Sequence, residues 1–472
     1  MESNNILESS LAQYTSNAFT ITLSKDLNFF EGISEDGEVP FQVFANNKAR
    51  FSVFVHEYWH YLVNVSTLAR YFDFSLGFHL VTLFSRTLVD HKNGKSNGNS
   101  SLNDEEIKFA SKLVEFLTHF RGSKKPEFED KSVLDRNIKS FLIDDFEIYN
   151  KEIEIHGDVR QRKFVKLFIQ VSTTYGEKKA TFNFGAHAID EGIAHLIESF
   201  INDDNSTPEF PYKIIIALSE KIIRQDIPDE DLLVIATLSF LTINPAIAFI
   251  ELLNTYKNKC LGIINSNDRH ILLINEISNH FEKGFTLVKK ELKEIRELSK
   301  NRGAIQFAMR YVEELISKYL RVRKSHYLFD LEPFIQGEVN IPLLEKNLHL
   351  HLPCDVLQIN PGGENEISRD SFFTFDDKDY DWNPTKFSGP YFLKMYFAIL
   401  KYVFSHINEE GFVSSENATC KCPFYTTCDL PSRKKHPELC SSTPWKLYSI
   451  QNKLCWFNQG VASLLGEYEY GT

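Results

Sequence analysis

The 472-residue chain has apolar and charged fractions that are ordinary for a globular protein, and its length predicts two or three domains with a large buried core. Its net charge of −12 argues against a nucleic-acid binder, because such a protein needs a basic surface to displace counterions from phosphates. The polar N-terminus and the interrupted apolar stretch near 232–252 predict neither a signal peptide nor a membrane span. Seven cysteines, four of them clustered, do not match a secreted disulfide framework and favour the cytoplasm as the location.

A strand and an apolar helix are the first predicted elements. Residues 18–24 alternate apolar and polar side chains, which predicts a strand. The helix that follows contains the pattern His-Glu-x-x-His at 56–60. His56 and His60 lie one helical turn apart and so point the same way, and two imidazoles in that position can bind one zinc ion. Glu57 beside them can take a proton from water on that zinc.

The residues that surround this motif affect its interpretation. The residues around it are almost all apolar, so we expect the helix to be buried. Buried ionisable side chains are costly unless something compensates their charge, and a metal ion does so. The alternatives are a chance occurrence of the pattern in a chain with 15 histidines, or two core histidines satisfied by other partners.

A predicted small sheet leads into a second informative helix. Residues 138–184 contain β-rich or alternating segments, the last of which, 180–184, could hold an extended peptide by edge pairing. The following helix places Glu191, His195 and Glu198 on one face. A zinc site with an open position for water needs a third protein ligand, so we predict Glu191 as that ligand and His195 as a residue that orients it. An amphipathic helix with a solvated acidic face is the alternative.

Helical periodicity dominates the remainder of the chain, and its charge runs are interpreted as solvated helix faces. We divide the sequence into a catalytic core at 1–205, a helical region at 206–325 and a C-terminal region at 326–472. The predicted helices beyond the core are 208–224, 229–256, 268–283, 286–302, 304–319 and 389–404.

A cysteine cluster marks the C-terminal region. Its members, which fall in a proline-containing segment with little core-forming sequence, are Cys420, Cys422, Cys428 and Cys440. A four-thiolate metal site would hold such a segment in place, so we predict a structural zinc ion there. Free or partly disulfide-bonded thiols and an iron–sulfur cluster are the alternatives. The other cysteines, Cys455 among them, are interpreted as buried small side chains.

The two helices together carry a family resemblance. The motif at 56–60 followed by Glu191-x-x-x-His195 resembles the zincin metallopeptidases, most closely the gluzincin branch, in which a glutamate on a second helix completes the zinc site. In thermolysin-like gluzincins that helix reads Asn-Glu-x-x-x-Asp, whereas this chain has Asp190, Glu191 and His195 at the matching positions. Both motifs also resemble bacterial proteins of unknown function with a His-Glu-Tyr-x-His helix. The resemblance implies a zinc site whose ligands and general base are His56, His60, Glu191 and Glu57.

We therefore expect a mainly helical α+β protein with a zincin-like core that hydrolyses peptide bonds of a protein or peptide substrate. The tetrahedral oxyanion needs a further stabiliser, and His187, His195 and Tyr61 are candidates from their sequence positions. Large helical additions suggest restricted substrate access or a dedicated regulatory protein partner. The alternatives are a zinc hydrolase acting on a non-peptide substrate, a non-catalytic protein stabilised by metal, and an interaction scaffold that uses its helices as the binding surface.

Overall fold

A computed structural model describes most of the chain between residues 12 and 464, and every structural statement refers to the described residues. These are 12–15, 20–23, 48–90, 94–130, 138–155, 158–174, 176–202, 209–335, 337, 339–351, 355–358, 372–373, 389–408, 410–425, 428, 430–450 and 455–464.

The helices confirm a mainly helical chain. In order, they are α1 (Lys48–Ser66), α2 (Leu68–Phe84), α3 (Asp104–Arg121), α4 (Ala186–Ile201), α5 (Ile214–Ile223), α6 (Asp229–Ser239), α7 (Pro245–Thr255), α8 (Ser266–Leu298), α9 (Gly303–Ser325), α10 (Ile341–His351), α11 (Gly389–Ser405), α12 (Pro431–Lys435), α13 (Pro437–Ser442) and α14 (Trp456–Ser463). Short 3₁₀ segments occupy Ser85–Thr87, Gly98–Ser101 and Pro444–Ser449, and a π-helical turn occupies Tyr256–Cys260.

The strands supply the smaller β component. They are β1 (Ala12–Thr15), β2 (Thr20–Leu23), β3 (Leu88–Asp90), β4 (Lys95–Ser96), β5 (Glu127–Phe128), β6 (Ser140–Ile155), β7 (Asp158–Thr173), β8 (Gly176–Phe184), β9 (Asp355–Gln358), β10 (Phe372–Phe373), β11 (Ile407–Asn408) and β12 (Gly411–Phe412). The fold class predicted from the sequence, α+β and mainly α-helical, is therefore confirmed.

The sheet whose strand β8 leads into α4 has the order β5-β8-β7-β6, and all of its pairings are antiparallel. The first part of the predicted β-rich region forms one long strand, β6, whose pairing with β7 runs from Ser140 opposite Ser172 to Ile155 opposite Asp158. A second sheet has the order β1-β2-β9-β10, and its parallel β2–β9 pair joins the N-terminal strand to residues 355–358.

The transition from β8 to α4 is tight, and it positions the second motif helix. Only Gly185 separates the last residue of β8 from the first of α4. A Cβ atom on Gly185 would lie 2.5 Å from the backbone nitrogen of Gly122, so the two chain segments approach too closely for any larger residue. Further along α4, a Cβ on Gly192 would lie 2.6 Å from Ile215, so α4 also packs closely against α5.

A buried ion pair anchors the end of α1. Arg323 of α9 has no exposed surface and pairs with the carboxylate of Asp330. Its Nη2 also donates to Ser66 Oγ at 2.7 Å, and that hydroxyl donates to the Leu62 carbonyl at 2.6 Å. Thr67 then adopts an extended conformation that separates α1 from α2. This network fixes α1 relative to α9, because leaving either charge unpaired in the core would be costly.

The described helices of the three predicted regions share one apolar core. Helix α1 packs against α4, α9 and α2, while α11 packs against α9, α2 and α14. The boundaries at 205/206 and 325/326 stay predictions. In the part of the chain that the structure describes, no helix combines the length and apolar character needed to cross a membrane.

We expect Gly185→Ala to lower the free energy of unfolding by about 1–3 kcal/mol, since the added methyl group meets backbone atoms that cannot rotate away. Urea unfolding followed by circular dichroism measures the change. Gly262→Ala is the matched control, because a Cβ there has no neighbour within 4 Å. Equal stability of the two variants would contradict the close approach of residues 122 and 185.

Candidate metal centre

Helix α1 carries the three motif side chains into the protein interior. His56, Glu57 and His60 are each less than a tenth exposed, which agrees with the buried helix predicted from its apolar surroundings. The imidazole centroids of His56 and His60 lie 4.9 Å apart, as expected for residues one helical turn apart on one face.

Helix α4 supplies the third group. The Oε2 atom of Glu191 lies 3.7 Å from His56 Nε2 and 3.9 Å from His60 Nε2. One ligand atom from each of these three residues lies within 4.8 Å of the other two, the one such set of three found among the described histidines, cysteines and acids. Tetrahedral zinc with bonds of about 2.0–2.1 Å would separate its donors by about 3.4 Å. The three side chains therefore need only a small inward shift to share one cation.

The outward-facing nitrogen of each imidazole meets its own carboxylate. His56 Nδ1 lies 3.2 Å from Glu198 Oε2, and His60 Nδ1 lies 3.1 Å from Asp190 Oδ2. Carboxylates in this position fix the orientation and tautomer of a metal-binding histidine, leaving Nε2 as the ligand. Asp190 in turn forms a buried ion pair with Arg70 of α2. Three helices thus hold the two rings in place.

The electrostatics of this cluster favour a cation. Burial alone lowers the pKa of His56, but Glu191, Glu198 and Glu57 outweigh burial and raise that pKa to about 10. The pKa of His60 is also raised, because Asp190 opposes the effect of burial. Burial alone would raise the pKa of Glu191, yet the neighbouring histidines hold it well below its usual range. In the metal-free protein, protons on the imidazoles offset this excess of carboxylates, and a divalent cation can take their place.

His187 lies beside the cluster, as its position in the sequence suggests. Its Nδ1 is 3.6 Å from Glu191 Oε1, the oxygen that faces away from the closest contact with the two rings, and its side chain is partly exposed. Burial lowers the pKa of His187 to about 4, so this imidazole is neutral at pH 7. A neutral imidazole can donate a hydrogen bond without releasing a full proton.

His195 occupies a different place from the one predicted. It is buried, and its ring centroid lies 5.9 Å from that of Tyr212, but the structure shows neither an ion pair nor a hydrogen bond between His195 and Glu191. The contacts that orient the site run instead from Glu198 and Asp190 to the two imidazoles. The catalytic role of His195 stays a prediction.

Tyr212, rather than Tyr61, is the tyrosine that lies near the motif imidazoles. Tyr61 is fully buried with its ring 6.3 Å from that of Tyr319 on α9, on the side of α1 that packs into the core. Tyr212, which the sequence did not indicate, is half-buried with its ring 6.3 Å from that of His56. Burial and then Glu191 and its neighbouring glutamates raise the pKa of Tyr212, so its hydroxyl stays protonated.

Strand β8 is not a free edge. β5 pairs with β8 through Glu127 opposite Thr181 and Phe128 opposite Ala180. Backbone hydrogen bonds from residues 123 and 129 extend this cover to the carbonyls of residues 183 and 179. The prediction that 180–184 accepts a peptide by edge pairing is therefore wrong, because the segment after α3 already occupies that edge.

The structure groups the cysteines differently from the cluster predicted from the sequence. Cys422, Cys428 and Cys440 lie close enough to act on one another electrostatically. The Cys420 thiol is turned toward α11, where it approaches the Lys401 carbonyl at 3.8 Å. Cys455, which the sequence analysis interprets as a buried small side chain, helps to raise the pKa of both Cys422 and Cys440 through its charge. The six described cysteines form no disulfide.

Comparison of the chain with protein-family models, with curated proteins and with solved structures finds no match. The resemblance to zincins consequently depends on two short helices and on the geometry of the side chains that they bring together.

We expect Glu198→Gln to weaken metal binding by about 10–100-fold, because the neutral amide no longer holds the His56 ring by a charged contact. Competition with a chromophoric chelator measures the dissociation constant. Glu251→Gln, an exposed glutamate on α7, is the matched control and should leave the constant unchanged. Equal affinities for the two variants would contradict the orienting role of Glu198.

We also expect the metal-free protein to lose stability as pH rises from about 6.5 toward 10. The unfolded chain has an imidazole pKa of about 6.5, whereas folded His56 holds its proton up to about 10. That contribution is therefore complete below about pH 6.5 and disappears as pH passes the folded pKa. Urea unfolding in the presence of a chelator measures it, and His56→Gln should remove this part of the pH dependence. The same pH profile in both proteins would contradict the assignment.

Proposed function

We propose that the protein is a zinc-dependent hydrolase that cleaves peptide bonds. The observation that carries this proposal is the convergence of His56, His60 and Glu191 on one point, with Glu57 beside them on α1. Two imidazoles and one carboxylate form a ligand set typical of catalytic zinc. When bound, zinc supplies a Lewis acid that polarises a carbonyl and makes water acidic enough to attack at neutral pH.

Three protein donors, rather than four, support catalysis over a structural role. Structural zinc sites are closed by four protein ligands, whereas catalytic sites keep one position for water or substrate. Among the described residues, the set of mutually close donors ends at three. His187, the next imidazole, approaches the other oxygen of Glu191 and does not belong to that set.

Glu57 is the proposed general base. It follows His56 directly and is buried, and its charge raises the pKa of both His56 and Tyr212, so its carboxylate lies near both side chains. It would take a proton from the attacking water and later give that proton to the leaving amine. Such a proton transfer contributes typically about 10²–10⁴-fold to a rate.

Two neutral groups can donate hydrogen bonds to the oxygen that becomes negative during the attack. His187 is neutral at pH 7 and partly exposed beside Glu191, while the Tyr212 hydroxyl keeps its proton near the same carboxylates. Fixed donors of this kind stabilise the transition state because they need no reorganisation when the charge develops. Their position at the partly exposed side of the cluster supports a substrate approach from there.

A peptide is the proposed substrate because of the resemblance to zincins, and the same zinc chemistry on a non-peptide substrate is the second candidate. A location in the cytoplasm and a dedicated protein partner that regulates access belong to the same proposal. The net charge of −12 favours a partner or substrate other than nucleic acid.

We expect Glu57→Gln to reduce peptide hydrolysis by roughly 100-fold or more while zinc content stays at one ion per catalytic site. The assay combines a quenched-fluorescent peptide library and a denatured proteome with metal analysis of the same samples. Glu220→Gln, exposed on α5, is the matched control, and His60→Ala should lose both metal and activity.

Each contrary result has a distinct meaning. Full activity of Glu57→Gln would overturn the role of Glu57. A zinc-loaded wild type that cleaves no peptide in either substrate pool would overturn the peptidase proposal and leave the metal site standing. Absence of metal from the wild type together with absence of activity would remove the site itself.

A further inference from the structure

A group of cysteines lies at the C-terminal end of the described chain. Around Cys422 the backbone runs beside α13: Cys420 N donates to the Ser442 carbonyl at 2.7 Å, and Cys422 N donates to the Cys440 carbonyl at 2.8 Å. Two cysteines distant in sequence, Cys422 and Cys440, are thus joined directly through their backbones.

A tight turn follows Cys422. Tyr425 N donates to the Cys422 carbonyl at 3.0 Å, and the Phe424 backbone N–H is bonded to the Cys422 sulfur. This N–H opposes part of the effect of burial, which still holds the pKa of the Cys422 thiol well above its usual range, so a bound metal would have to displace the thiol proton. Cys428 lies just beyond this turn, where Arg433 Nη1 donates to its carbonyl at 2.8 Å.

A fourth thiol comes from outside the predicted segment. Cys455 occupies the N-cap position of α14, and Asn458 Nδ2 donates to its sulfur at 3.5 Å. The charge of Cys455 contributes to the raised pKa of both the Cys422 and the Cys440 thiols, so Cys455 lies near both of them.

Cys420 is separated from this group by its own contacts. Its sulfur lies 3.3 Å from the Lys421 carbonyl and 3.8 Å from that of Lys401. Its electrostatic partner is Lys401 of α11, and none of the other cysteines acts on it. The residue is well placed to pack against α11 rather than to bind a metal with the others.

We infer that Cys422, Cys428, Cys440 and Cys455 form a second, structural metal centre with four thiolate ligands. The set differs from the sequence-based one by the exchange of Cys420 for Cys455. Arg433 supports this assignment. Its charge lowers the pKa of Cys440, and it donates a hydrogen bond to the Cys428 carbonyl. This cation therefore offsets part of the negative charge that four thiolates bring.

Two metal groups share this ligand chemistry, a single zinc ion and an iron–sulfur cluster. Zinc with bonds of about 2.3 Å would hold its sulfurs about 3.8 Å apart. No three of the described cysteine sulfurs lie within 4.8 Å of one another, so zinc requires the side chains to rotate inward. A cluster spreads its thiolates over several iron atoms and tolerates a wider arrangement.

The centre would attach the C-terminal segment to the main core. In the described part of residues 420–442 the helices are the short α12 and α13, whereas α14 packs against both α11 and α9. A metal shared between them would hold the segment against α14 and thereby against the helix that anchors α1. Metal binding of this kind supplies folding free energy that a small apolar surface cannot. This inference does not rest on the proposed hydrolase function.

The test counts metals in full-length protein. In His56→Ala/His60→Ala, the first site is removed, and zinc, iron and acid-labile sulfide are measured per chain with the visible absorption spectrum. We expect either one zinc ion per chain or iron with sulfide and visible absorption. Either result supports a centre with four thiolate ligands. Cys455→Ser in this background should lose that metal, and Cys420→Ser should retain it. A metal-free double-histidine variant, or loss from Cys420→Ser with retention in Cys455→Ser, would overturn the inference.

A second measurement does not depend on the folding of any cysteine variant. Wild-type protein is alkylated before and after metal removal under anaerobic conditions, and each cysteine is quantified by mass spectrometry. Metal removal should increase the labelling of Cys422, Cys428, Cys440 and Cys455 together, and it should leave Cys420 unchanged. Labelling in which Cys420 follows the other three in place of Cys455 would restore the ligand set read from the sequence.

Discussion

The packing of α1 against α4 is the contact on which the site depends. Each helix carries ionisable side chains into an apolar interior, where an isolated charge would cost several kcal/mol and often more. Neither helix could do so alone. Together they place the carboxylates of α4 against the imidazoles of α1, and Arg70 from α2 balances part of the remaining charge. The charges of the two helices therefore partly compensate one another, and a cation held by His56, His60 and Glu191 would extend that compensation.

The acidic residues of α4 divide into two kinds of contact. Glu191 faces the Nε2 atoms of both imidazoles, while Asp190 and Glu198 hold the Nδ1 atoms from the opposite side. Glu191 and Glu198 lie seven positions apart along one face of the helix, whereas Asp190 is adjacent to Glu191 and so is rotated by about 100° around the helix axis. One helix thus provides both a ligand and the groups that orient the other ligands, which limits how far the rings can rotate.

Rigidity reaches this site from distant parts of the chain. Glycines 122 and 185 let α3 and the start of α4 approach closely, and Arg323 fixes the end of α1 from α9. The same helix α9 packs against α11 and α14, which carry the apolar surface under the cysteine segment. The two candidate metal centres therefore stand on a common helical framework while using different ligands. A rigid framework suits a catalytic site, because a small misplacement of the catalytic groups lowers the reaction rate by a large factor.

Features that depend on local periodicity could be predicted from the order of residues within one element. The one-turn spacing of His56 and His60, the burial of their helix, the sheet between 138 and 184 and the helical remainder all follow from patterns within one element. Tertiary structure decided the pairings between elements. The partner of His56 is Glu198, 142 residues away, and its selection depends on how two helices cross. The approach of Cys455 to Cys422 and the covering of β8 by β5 likewise arise from chain segments that meet only on folding. Sequence spacing fixes directions along one element, whereas contacts between elements depend on packing that no local pattern encodes.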